Sequence, residues 1–230
     1  MKALRDNCQV KLMAFDLDGT LLDSVPDLAK AVQLTLAELN LPTQKQEQVR
    51  GWIGNGARVL VKRALSGDVK GDVPDDIFEK AYPLFLKHYA EHLNCDSVLY
   101  AQVEQTLVGL KNAGIILACI TNKPTQFTLP LLEQIGLANL FDKVVCGDTY
   151  EERKPHPMPL LEVAKSFNVE PSLAIMVGDS VNDIDAAKAA GFYSVCVDYG
   201  YHGDDDVHQM GADVVISHFS EINQLLTQAA

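Results

Sequence analysis

Asp16 and Asp18 stand one residue apart where the apolar run Leu12-Met13-Ala14-Phe15 gives way to Gly19-Thr20. Carboxylates rarely leave a buried strand without a partner, so this pair needs a cation or a chemical task. Three later segments bring complementary groups. The apolar run at 115–120 ends in Thr121-Asn122-Lys123, a hydroxyl, an amide and a cation. Glu151-Glu152-Arg153-Lys154-Pro155-His156-Pro157 supplies a lysine fixed by the proline that follows it. The apolar run at 173–177 enters Gly178-Asp179-Ser180-Val181-Asn182-Asp183, with two more carboxylates four residues apart. In chain order these are a nucleophile, a hydroxyl, a lysine and an acid pair.

Such groups act only if the chain brings them together. Short apolar runs at 10–15, 115–120, 143–146, 173–177, 193–197 and 213–216 are bounded by Gly, Asp, Asn or Thr, as buried parallel strands are. Between most of them, 103–113, 125–136, 158–168 and 182–190 carry apolar residues at three- and four-residue spacing, and Gly136 and Gly191 stand where C-caps belong. The alternation predicts an α/β fold with a doubly wound, Rossmann-like parallel sheet. Ligands of such sheets sit at the carboxyl ends of strands, where Asp18, Thr121 and Asp179 fall. The alternation stops after the Asp-x-Asp turn. Residues 26–40, 55–66 and 74–93 read as helices, so an inserted α-helical cap is expected over 24–96, on a core of 1–23 and 97–230 with hinges near 23–26 and 96–101.

A chain of 230 residues with 47% apolar side chains can build such a core. No window approaches a membrane span, and the N-terminus, with Lys2, Arg5 and Asp6, does not read as a signal peptide. Cys8, Cys95, Cys119, Cys146 and Cys196 are scattered, odd in number and without Cys-x-x-Cys spacing, which disfavours disulfides or zinc and predicts a cytoplasmic protein. The formal charge of −12 speaks against nucleic acid and anionic membranes as partners. A small anionic substrate is compatible with it if a metal ion and placed lysines supply local positive charge. His88 and His92, at i, i+4 spacing, lack a third ligand and read as a solvated helix face. Gly51 to Ala57 is no P-loop, since no strand precedes it and no Gly-Lys-Ser/Thr follows. The sequence carries no sign of oligomeric state.

Together, the four chemical segments resemble the four motifs of the haloacid dehalogenase superfamily, over nearly the whole chain. Trp52-Ile53-Gly54-Asn55-Gly56-Ala57, Thr121-Asn122-Lys123-Pro124 and Lys154-Pro155-His156-Pro157 closely resemble bacterial phosphoglycolate phosphatases. The resemblance implies a phosphomonoesterase that hydrolyses 2-phosphoglycolate, with the cap closing over a small phosphate ester. Asp16 would attack phosphorus to form an aspartyl-phosphate, and Asp18 would protonate the leaving oxygen and then deprotonate water. Thr121 and the Asn122 backbone N–H would bind phosphate, while Lys154 neutralises charge shared with Asp16. Asp16, Asp179 and Asp183 converging on a phosphate dianion call for a hard divalent cation, Mg2+. The family pattern makes Asp16 and Asp179 side-chain ligands and Asp18 a ligand through its carbonyl, with Asp183 supporting the metal's waters or Lys154. Asn55, Arg58 and Lys123 are candidate specificity residues, and Arg58 either binds a substrate carboxylate or lies on the surface. Ala101-Gln102 stands where the family often has Pro-Gly at the second hinge. The second acid, Asp18, argues against a dehalogenase. A β-phosphoglucomutase-like phosphomutase shares motifs and cap, although Gly19-Thr20-Leu21-Leu22-Asp23 looks more like the hydrolases. A non-enzymatic module that binds a phosphorylated metabolite is the reading from a different class.

Overall fold

The computed structural model describes residues 10–203 and 206–227, so Cys8, Asp204 and Asp205 lie outside the described residues. In chain order the elements are β1 (Leu12–Phe15), β2 (Leu22–Asp23), α1 (Val25–Glu38), α2 (Gln46–Arg50), α3 (Ala57–Ser66), α4 (Asp75–Glu91), β3 (Val98–Leu99), α5 (Val103–Asn112), β4 (Ile116–Ile120), α6 (Thr125–Gln134), β5 (Lys143–Val145), α7 (Met158–Ser166), β6 (Ala174–Gly178), α8 (Val181–Ala190), β7 (Tyr193–Val197), β8 (Val214–Ile216) and α9 (Ile222–Thr227).

Every residue of β1 is buried, as a strand flanked on both sides and covered on both faces must be. Its side chains alternate between two cores. Met13 and Phe15 pack with Leu107 of α5, Leu131 of α6 and Ile222 of α9, whereas Leu12 and Ala14 pack with Leu160 of α7 and Ala187 of α8. The six-stranded sheet has the order β5-β4-β1-β6-β7-β8, and all its pairings are parallel. The chain winds from β1 outward through β4 to β5, then returns to β6 and winds the other way. The central strand β1 therefore stands where the direction of winding reverses, which is where open α/β sheets bind ligands. Phe15 is in register with Cys119 of β4 and Val177 of β6, so these three strands end at one level.

Helices α1 to α4 form the inserted cap around a cluster of their own, including Leu36, Val61, Phe78 and Phe85, to which α6 contributes Phe127. At the crossings, β2 and β3 pair antiparallel through Leu22 with Leu99 and Asp23 with Val98. Asp27 of α1 fastens the return crossing by accepting the backbone N–H groups of Asp96 (2.8 Å) and Ser97 (3.1 Å) and the Ser97 hydroxyl. The two-residue strands and the five-residue α2 are too short to produce a periodic signal, and so escape a reading by spacing. Gly136 and Gly191 do end α6 and α8 with left-handed backbone, φ 76° and 78°.

His88 departs from expectation. It is buried rather than solvated, because α4 turns it toward α1, where its Nε2 lies 2.8 Å from Glu38 Oε2. Cys119, Cys146 and Cys196 are free and buried, and Cys95 is free and exposed.

Candidate active site

Three catalytic candidates each follow directly on the last residue of a strand: Asp16 on β1, Thr121 on β4 and Asp179 on β6. Backbone bonds extend the ladder past the strand ends, from Asp16 N–H to Val177 O (2.9 Å) and from Thr121 N–H to Val145 O (2.9 Å). These side chains are therefore aimed by the sheet, and all three are buried.

Oxygens of Asp16, Asp179 and Asp183 lie within 4.8 Å of one another. Lys154 Nζ stands against them, 2.6 Å from Asp183 Oδ1, 2.9 Å from Asp16 Oδ1 and 2.6 Å from the Ile120 carbonyl. Ser180 donates its N–H (3.1 Å) and hydroxyl (2.7 Å) to Asp183 Oδ2. Thr20 Oγ1 (3.1 Å) and the Tyr201 N–H (2.6 Å) donate to Asp179. Gly19, at φ +88°, permits this approach, since a Cβ there would sit 2.2 Å from Asp179 Oδ2.

Burial pushes the Asp16 carboxyl up to about 7, with Asp183 and Asp18 adding to the shift and Lys154 opposing it. Burial, then Asp183 and Asp16, hold Asp179 well above the carboxylate range. Burial works against the charge on Lys154, but Asp16 and Asp183 outweigh it and its pKa moves up. Three buried carboxylates thus face one ammonium. Asp16 Oδ1 meets Lys154 Nζ as an ion pair at 2.9 Å and has no other partner among the described residues. An oxygen-only donor set and a surplus of negative charge together fit a hard divalent cation.

A second cluster adjoins the first. Asp18 accepts from Ser24 Oγ (2.6 Å), and both its oxygens face Lys123 Nζ, at 3.0 and 3.1 Å. Lys123 Nζ also donates to the hydroxyl of Tyr89, in α4 of the cap (2.6 Å). Asp16, Asp18, Thr121 and Lys123 line one cavity, whose opposite wall is built from the cap by Leu28, Ile53, Ala57, Leu60, Phe85 and Tyr89.

A family model of haloacid dehalogenase-like hydrolases matches residues 13–197. The chain belongs to that family. As a haloacid dehalogenase-like hydrolase it is an enzyme. It is 43% identical to a phosphoglycolate phosphatase of Nitrosococcus oceani, over 96% of this chain and 99% of the relative. It is 45% identical to that of Colwellia psychrerythraea, over 92% and 95%. The crystal structure of a predicted phosphoglycolate phosphatase from Haemophilus somnus superposes with a TM-score of 0.90 at 40% identity, covering 94% of this chain and 98% of that one.

In this hydrolase the expected residues divide. Asp16, Asp18, Thr121, Asn122 and Lys123 meet at the cavity, and Lys154, Asp179 and Asp183 join Asp16 behind it. The third acid of the metal-sized cluster is Asp183, while the Asp18 side chain is taken up by Lys123 and Ser24. Asn122 Nδ2 bridges the Gly54 and Lys154 carbonyls (3.0 Å each), fastening the cap loop to the lysine's loop. Two specificity candidates do not line the cavity. Arg58 is half-exposed over the rings of Phe78 and Tyr82, beside Glu79 at 3.7 Å, because at 3.6 residues per turn it points away from the face of α3 that carries Ala57 and Leu60. Asn55 is turned to Arg63 (3.0 Å) and Asn182 (3.4 Å). Ser24, Thr20, Tyr201 and Tyr89 were not legible as site residues. Thr20 and Ser24 at least sit within the continuation of the Asp-x-Asp turn.

The raised acids set a pH dependence for the metal-free protein. Between the unfolded value, 3.8, and the folded value near 7, the native state binds more protons than the unfolded one. The contribution of this group to stability is then full below the unfolded pKa and falls as pH rises through this window. After chelation, the melting temperature is expected to be lower at about pH 8 than at about pH 5, and a divalent cation should raise it more at the higher pH. Equal cation-induced shifts at both pH values would contradict the charge surplus.

Proposed function

We propose that this hydrolase is a Mg2+-dependent phosphomonoesterase that converts 2-phosphoglycolate to glycolate and phosphate. The observation that carries the reading is the convergence of Asp16, Asp18 and Thr121 on one cavity, with Lys154 ion-paired to Asp16 behind it. Asp16 attacks phosphorus and becomes the aspartyl-phosphate, and Asp18 delivers a proton to the leaving alkoxide. Asp18, now a base, then takes a proton from the water that cleaves the acyl phosphate. Thr121 donates its hydroxyl to a phosphoryl oxygen, and Lys154 balances the charge building up between Asp16 and the phosphoryl group. Bound at Asp16 and Asp179, with Asp183 in support, Mg2+ supplies the positive charge this cluster lacks.

The identities with named phosphoglycolate phosphatases support the substrate, and so does the cap wall. Leu28, Ile53, Ala57, Leu60 and Phe85 are apolar and Tyr89 is the cap's polar side chain there, too few partners for the several hydroxyls of a sugar in a phosphomutase-like complex. The unit over 24–96 is in this reading the moving cap, and its closure excludes water from the phosphoryl group. The buried free cysteines fit a cytoplasmic location, and among the described residues no helix is long and apolar enough to cross a membrane.

A panel of phosphate esters ranked by kcat/KM tests the assignment. Expected are a preference for 2-phosphoglycolate over hexose phosphates, loss of turnover on chelation and its return with Mg2+. A preferred hexose phosphate overturns the substrate, and full activity without metal overturns the cofactor.

A further inference from the structure

We propose that Tyr89 and Lys123 together form the seat for the carboxylate of the leaving group, with Tyr89 as the cap's contribution to specificity. The inference rests on the 2-phosphoglycolate reading and deepens it. A carboxylate buried beside Asp16 and Asp18 needs donors, and they have to come from the cavity's own wall. Arg58 and Asn55 are turned elsewhere, and the remaining cap side chains at the cavity are apolar, so among the described residues Tyr89 is the cap's polar side chain there.

Its hydroxyl accepts from Lys123 Nζ at 2.6 Å, and no acceptor for its own hydrogen is found among the described residues. Burial pushes the phenol up to about 12, so that hydrogen is retained at neutral pH. Lys123 has three N–H groups. One serves Tyr89, and the near-equal distances of 3.0 and 3.1 Å let a single N–H serve both oxygens of Asp18. An ammonium N–H and a phenol O–H therefore remain as neighbouring donors at the cavity, one for each oxygen of a carboxylate.

The pair is held in place before substrate arrives. Lys123 Nζ is held at the Tyr89 hydroxyl, and the Tyr89 ring packs edge-on to Phe127 (4.8 Å) and stacks on Phe85 (5.8 Å). The arrangement also matches the substrate's chemistry. In a glycolate ester one methylene separates the carboxylate from the oxygen to be protonated. A carboxylate on Lys123 brings that oxygen toward Asp18, the acid Lys123 already touches. An ester with a neutral group in that place leaves buried donors unpaired and is rejected for that reason.

The test compares 2-phosphoglycolate with 2-hydroxyethyl phosphate, which carries a neutral CH2OH in place of the carboxylate. Tyr89→Phe keeps the ring and removes the donor. The ratio of kcat/KM for the two esters is expected to fall about tenfold or more, with the loss on 2-phosphoglycolate mainly in KM. Lys123→Met, in which Asp18 is also released, should slow both esters and reduce the same ratio further. A merely structural role would slow both esters alike and leave the ratio unchanged. If the wild type prefers 2-phosphoglycolate and neither variant changes that preference, the seat is overturned and the substrate reading stands. A wild type indifferent to the carboxylate overturns both.

Discussion

Asp16→Asn is expected to abolish turnover while the protein stays folded. The amide has nearly the volume of the carboxylate but is a poor nucleophile, so the phospho-enzyme cannot form, and a loss of at least about 10²–10⁴-fold follows from removing a chemical role. Stability should not fall with it. Burial holds the Asp16 carboxyl up to about 7, so at neutral pH its charge is a cost that the amide removes, and Lys154 keeps Asp183 as a partner at 2.6 Å. The metal-free variant should therefore melt no lower than the wild type near neutral pH. Phosphate release measured beside thermal denaturation separates the two effects. Activity within about tenfold of wild type would remove Asp16 from the nucleophile's role.

That expectation was available from the residues alone because the strands that aim Asp16, Thr121 and Asp179 are also the segments with the plainest signal. A strand buried on both faces is apolar throughout, and the first polar residue after it marks its carboxyl end. The runs at 10–15, 115–120 and 173–177 thus located three strand ends to within a residue or two, and the rule that such sheets bind ligands at the carboxyl ends of their strands put all three at one edge. What escaped depends on directions that spacing does not carry. Tyr89 reads as one more apolar position of α4, and its hydroxyl becomes informative only when Lys123 arrives from the other domain at 2.6 Å. Arg58 reads as a cation near a glycine-rich cap loop, yet its place on α3 sends it over Phe78. Asp18 and Lys123 are separated by 105 positions, and nothing local announces that the second acid is held by a lysine from the β4 loop. The fold was legible through burial, and the company of Lys154 with Asp16 and Asp183 was legible too, whereas the pairing of Lys123 with Asp18 was not.

Lys154→Met should remove activity and stability together, which sets it apart from Asp16→Asn. Lys154 is 2% exposed and its ammonium touches Asp183, Asp16 and the Ile120 carbonyl, so methionine fills much of the space while the buried acids lose their counter-charge. Breaking a buried ion pair by removing one partner costs about 3–5 kcal/mol. For a chain of this length that corresponds to a melting temperature lower by roughly 6–20 °C. Activity should fall by at least about 10²-fold, because the charge developing between Asp16 and the phosphoryl group loses its cation. A divalent cation should recover part of the lost stability, since it neutralises the same oxygens, but not the activity. A double-mutant cycle then tests the cause. Combined with Asp183→Asn, which removes one stranded charge, Lys154→Met should cost less stability than it does alone. Additive losses would show that Lys154 acts through packing rather than charge, and a Lys154→Met enzyme within about tenfold of wild type would take the lysine out of the reaction.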